Sequence, residues 1–117
     1  MTSGFENEST EESYPAVTEA DALKFIGKYL LIGITQEDPF GNVVDQYELH
    51  GVIELVAPTG IVVSLRGPRQ GESYVIPAAL DCLEPAEPGE YHLRSTGEVV
   101  ANPDYTTAFS IVPPQKQ

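Results

Sequence analysis

Three side chains in this sequence have the chemistry to hold a metal or carry a reaction: His50, His92 and Cys82. His50 lies in "VVDQYELHGVIELV", residues 43 to 56, between Glu48 and Glu54, and His92 lies in "EYHLRS" beside Glu90. If their strands were neighbours, the two imidazoles with Glu48 or Glu90 would suit a divalent metal. No CxxC, HExxH, HxH or EF-hand spacing accompanies them. Nucleophilic catalysis needs a base held on a nucleophile. Cys82 with His92 and Ser95 with His92 are the formal pairs, and neither sits in a GxSxG or similar signature. Cys82, between Leu80 and Leu83, reads as a small buried hydrophobe. Glu48 and Glu54 read as a solvated strand face rather than an acid–base pair, because a domain this small rarely offers a glycosidase cleft. GxxxxGK[ST] and GxGxxG are both missing, so no standard phosphate loop is present. The chain reads as non-enzymatic and without a cofactor.

The element that carries His50 alternates strictly. Leu49, Ile53 and Leu55 fall on one face with Tyr47 and Gly51, while Gln46, Glu48, His50 and Glu54 fall on the other. Period-two alternation assigns the first face to a core and the second to water. Gly51 marks a place where so long a strand can bend or bulge. "PTG" at 58–60 reads as a three-residue hairpin loop. Pairing Ala57 with Ile61 then sets Leu55 opposite Val63, Ile53 opposite Leu65, Glu54 opposite Ser64 and Val52 opposite Arg66. The same parity puts Tyr29, on the preceding strand, on the wet face with Glu48 and His50.

The other elements follow from turn and capping signals. Residues 1–16 are rich in Glu, Ser and Thr and read as a disordered acidic tail. Thr18-Glu19-Ala20-Asp21 has capping-box spacing and predicts a short helix with an apolar stripe of Ala22, Leu23 and Ile26, stopped at Gly27. Strands are expected at 28–36, 43–56, 61–66, 73–77, 90–95 and 106–112, with one helical turn at 78–83 and a loop at 96–105 that has room for a short strand at 98–100. Residues 17–113 form one small domain, followed by a short tail at 114–117. The fold class is all-β with one short N-terminal helix: a small antiparallel barrel or strongly curled sheet of five or six strands. Over residues 28–95 this layout resembles SH3-like small barrels, in which meandering strands are followed by a one-turn helix and a late strand. The resemblance is architectural and implies no activity.

Charge narrows the partners. Eighteen acids against six bases give a formal net charge of −12, and six of the acids lie in the first 21 residues. Nucleic acid binds through Lys and Arg, and anionic membranes attract the same residues, so neither is an expected partner. An acidic surface suits a basic protein. The function expected is a small interaction module, one concrete form being an immunity or inhibitor protein against a basic toxin or nuclease. The residues expected to contact such a partner are Tyr29, Glu48, His50, Glu54, Arg94, Glu98 and Tyr105. The alternative is a ligand- or metal-binding barrel using His50 and His92. A single cysteine and an N-terminus with no basic start or apolar stretch lead to a cytoplasmic expectation.

Overall fold

A computed structural model describes residues 17–113. The tails expected at 1–16 and 114–117 lie outside the described residues. What is described is mostly β, with one short helix.

Helix α1 (Glu19–Phe25) opens with the expected capping box. Thr18 Oγ1 accepts from the Asp21 N–H at 3.1 Å, and Asp21 Oδ2 accepts from the Thr18 N–H at 3.2 Å. Gly27 ends it at φ +88°. The buried stripe differs from expectation: Phe25 is 6% exposed, whereas Leu23 is 73% exposed. A seven-residue helix cannot stand alone, so its seat is fixed by its last turn. There the Phe25 ring lies 5.0 Å from that of Tyr105, and the Gly27 N–H donates to the Ile53 carbonyl at 2.8 Å.

The strands are β1 (Tyr29–Glu37), β2 (Val43–Ala57), β3 (Gly60–Leu65), β4 (Ser73–Ile76), β5 (Glu84–Pro85), β6 (Glu90–His92), β7 (Val99–Ala101) and β8 (Tyr105–Ile111). Short 3₁₀ turns occupy Gly67–Arg69 and Leu80–Cys82. One sheet runs β4-β3-β2-β1-β8-β5, and β6 and β7 form a second. The main sheet is open: no pairing joins β4 to β5, so the expected barrel is not closed by hydrogen bonds. Nor is the sheet purely antiparallel, since β8 runs parallel to β1. The reason is topological. Three hairpin reversals bring β4 out at the end of the sheet where β1 begins. A crossing at that end, over buried Ala78, Ala79 and Leu83, enters β8 in the direction of β1.

The β2–β3 register also departs from expectation. Ala57 pairs with Gly60 and Leu55 with Val62, then a bulge at Glu54 sets Ile53 opposite Val63 and Val52 opposite Ser64, where Leu65 and Arg66 were expected. The extra residue reverses the parity of the strand end. Val56 is therefore buried, whereas Leu55, expected inside, is 50% exposed. Gly51 permits the close approach of β3, because a Cβ there would overlap the Ser64 carbonyl oxygen.

The main core lies on one face of the sheet: Leu30, Ile32 and Ile34 of β1, Leu49 and Ile53 of β2, Ile61, Val63 and Leu65 of β3, and Ile76 of β4, closed by Phe25 and Leu83. A second, smaller cluster lies on the opposite face, where Leu31 packs against Leu93 and Val100 beside Tyr29 and Tyr91. β1 is thus buried on both sides near its start. Each fully buried aliphatic chain contributes about 1.5–3 kcal/mol.

Candidate functional site

Tyr29, Glu48 and His50 share the face that alternation assigns to water. The structure corrects the second half of that expectation. The segment from Glu90 to Ala101 folds over this face, and His50 is only 7% exposed. Alternation identifies the face of a strand, not what later covers it. The missed signal was the unbroken apolar run Leu30-Leu31-Ile32, which marks a strand covered on both sides.

Three of the expected residues meet there. The Tyr29 hydroxyl lies 2.7 Å from His50 Nδ1, and His50 Nε2 lies 3.1 Å and 3.2 Å from the two Glu98 oxygens. Burial pushes the Tyr29 phenol above its ordinary value; the Arg66 guanidinium opposes this and Glu98 adds to it. The Glu98 carboxylate can only accept, so Nε2 carries a proton towards it, and in the neutral imidazole Nδ1 then accepts from the Tyr29 hydroxyl. Glu98 is itself held by the Thr96 hydroxyl at 2.9 Å. Both ring nitrogens of His50 are therefore occupied, and neither is free to take a substrate proton or a metal. Gly67 (φ +76°) closes the other side, where a Cβ would overlap the Glu98 carboxylate and lie 3.0 Å from His50 Nε2. The arrangement is a latch between two layers.

Glu48 makes a second tie to the same segment. Its Oε1 accepts from the Ser95 hydroxyl at 2.7 Å and the Ser95 N–H at 3.3 Å, and its own N–H donates to Ser95 Oγ at 3.4 Å. Asp104 makes a third, accepting from the Tyr29 N–H at 2.8 Å and donating its own N–H to the Tyr29 carbonyl at 2.9 Å. Thr96 and Asp104 were not among the expected residues, and Ser95, paired with His92 as a formal nucleophile, instead ties to Glu48. Only the "STG" turn signal at 95–97, where Gly97 takes φ +79°, hinted that this loop turns tightly.

The remaining expected residues disperse. Tyr105 packs on Phe25, on the opposite face of the sheet. Glu54 is exposed in the bulge. Arg94 makes no ion pair within 4.0 Å among the described residues and lies at the rim of a hollow with Gln46 and Glu48. His92 is exposed beside Glu90 at 3.7 Å. It sits one residue out of phase with Tyr91, which packs inward, so it faces away from His50. Among the described residues no three His, Cys, Asp or Glu side chains are grouped to hold a metal. Cys82, expected buried, is exposed, because the 3₁₀ turn directs Leu83 rather than Cys82 into the core.

The covering segment leaves part of the face open. There a groove of about 610 Å³ runs over Gly33, Thr106 and Ala108, flanked by Leu31 and Tyr91 and rimmed by Glu48, Asp81 and Glu84. A shallower hollow of about 390 Å³, over Gly33, Thr35, Gln46 and Ala108, continues it toward the β1–β2 hairpin. The small floor residues make the trough; Glu48, Asp81 and Glu84 make the groove's rim acidic, and Arg94 stands at the rim of the hollow.

The fold and the trough define a small, mostly β protein with an acidic open face. Comparison with family models, curated proteins and solved structures finds no match. No helix among the described residues is long and apolar enough to cross a membrane.

Proposed function

We propose that this chain is a small, non-enzymatic interaction module that binds a basic protein partner along the trough beside the latch. The observation that carries the reading is the rim itself. Glu48, Asp81 and Glu84 border a groove of about 610 Å³, and none of them is within 4.0 Å of a Lys or Arg nitrogen among the described residues. Carboxylates left without cations around a concave surface favour a ligand that brings its own. An extended segment with Lys or Arg on alternate positions suits a groove floored by Gly33 and Ala108. The immunity- or inhibitor-like form fits this reading, since a basic active site would present such cations. The meander β1–β4, followed by a 3₁₀ turn and a late strand, supports the SH3-like layout; the parallel β1–β8 pair departs from it. A reducing, cytoplasmic setting suits the free thiol of Cys82.

The test is an NMR titration with a nine-residue peptide alternating Arg and Thr. Amides of Gly33, Thr35, Glu48 and Ala108 are expected to shift, with affinity falling as salt rises and again in Glu84→Gln. Shifts scattered over the whole surface, or none below millimolar peptide, would remove the reading.

A further inference from the structure

The β1–β2 hairpin extends past both covering layers. Val43 and Val44, at an irregularity in the pairing with β1, are 56% and 59% exposed. At the tip Phe40 is 88% exposed, the highest value among the large apolar side chains of the described residues.

The turn that displays Phe40 is held at many points. The Asp38 carboxylate accepts from the Phe40 N–H at 2.9 Å, the Asn42 N–H at 2.9 Å and Asn42 Nδ2 at 3.0 Å. The Asp38 N–H donates to the Asn42 carbonyl at 2.8 Å, and the Gly41 N–H donates to the Asp38 carbonyl at 3.0 Å. Pro39 restricts the first turn position, and Gly41 takes φ +89°. These bonds fix the backbone that presents Phe40, so docking orders the ring but not the loop that carries it.

Charge selects the occupant. From Tyr29 to Leu65 there is no Lys or Arg, and Glu37, Asp38 and Asp45 flank the exposed apolar residues. A second copy would set these acids against their own equivalents, each chain carrying −12. An apolar centre with an acidic rim complements a positively charged surface around an apolar cleft. Thr35 and Gln46 of the trough lie one register step from Gln36 and Asp45, so a partner seated in the trough reaches the hairpin.

We infer that the hairpin tip is a preformed docking knob, with Phe40 entering an apolar cleft on a basic folded protein and Glu37, Asp38 and Asp45 meeting the cations around it. The inference rests on the proposed reading of the chain as a module for a basic partner.

The experiment places p-benzoylphenylalanine at position 40 of the full chain and irradiates it in low-salt extract of the source cells. Capture alone is not counted. The captured protein is purified and titrated with wild type, Phe40→Ala, Phe40→Leu, and Glu48→Gln/Glu84→Gln, each first shown to melt like wild type. A basic captured protein should bind Phe40→Ala at least tenfold more weakly and Phe40→Leu within about threefold. Wild-type affinity in Phe40→Ala, a cross-link only to a second copy, or no cross-link would each overturn the inference. If Glu48→Gln/Glu84→Gln weakens binding and Phe40→Ala does not, the trough reading stands and the knob falls. The opposite pattern keeps the knob and removes the trough.

Discussion

Changing Tyr29 to Phe tests the latch most directly. The substitution keeps the ring that packs beside Leu31, Leu93 and Val100 and deletes only the hydroxyl 2.7 Å from His50 Nδ1. His50 is 7% exposed, so the orphaned nitrogen has little water to turn to. A buried acceptor left without a donor costs about 1–3 kcal/mol, and a central value near 2 kcal/mol suits this site. For a domain of this size, that lowers Tm by roughly 8–16 °C. Glu98→Gln serves as the control. It keeps an acceptor for His50 Nε2–H and loses only the charge, so its cost is smaller, about 0.5–1 kcal/mol. Thermal melts give the global cost. Amide exchange locates it: amides from Tyr91 to Val100 should open faster, while those of β2 and β3 keep their relative protection. A Tyr29→Phe melt within about 2 °C of wild type would mean that water already serves His50, and that the face is as wet as alternation alone suggests.

Alkaline pH acts on the same contact. Burial raises the phenols of Tyr29 and Tyr74 above the ordinary 10.0, Arg66 opposing in the first case and Arg69 in the second. The folded state favours their neutral forms, so this stability is complete below 10.0 and is lost as pH rises through the folded values. Urea midpoints should therefore fall above about pH 10, and less steeply in Tyr29→Phe. Thr107 Oγ1 is buried with no hydrogen-bond partner among the described residues, so Thr107→Val should stabilise by about 0.5–1 kcal/mol in urea melts; a loss of stability would reveal a partner for the hydroxyl. Cys82 is exposed, so a thiol reagent should label it in the native state without denaturant. Labelling only after unfolding would return it to the core.

Much of the framework is legible in the residues. Thr18 and Asp21 announce the cap, Gly27 the stop, and the alternation of Tyr47 to Ile53 the core face of β2. Where the reading fails, the causes are non-local. The bulge at Glu54 follows from a two-residue rather than three-residue loop, and nothing before Ala57 signals it. β8 lies beside β1 because of where β4 ends, which no window of sequence shows. His50, Tyr29 and Glu98 could each be named as polar residues of interest, and the first two placed on one face. Their union depends on a hairpin some 48 positions from His50 turning back at Gly97. The exposure of Phe40 has no local signature, because Pro39 and Gly41 mark a turn and not what its tip faces.

The placing of β8 bears on how the chain acquires its shape. Leu30 is bridged to Tyr105, which is made 75 positions later. At roughly 5–20 residues per second, a nascent β1 waits about 4–15 s for its inner neighbour. During that wait Leu30, Ile32 and Ile34 can rely only on the meander that follows them. Bringing such distant segments together before any contact rewards them slows folding. A chain halted before Tyr105 would leave β1 as a bare apolar edge, the kind of surface that chaperones hold and that seeds aggregation.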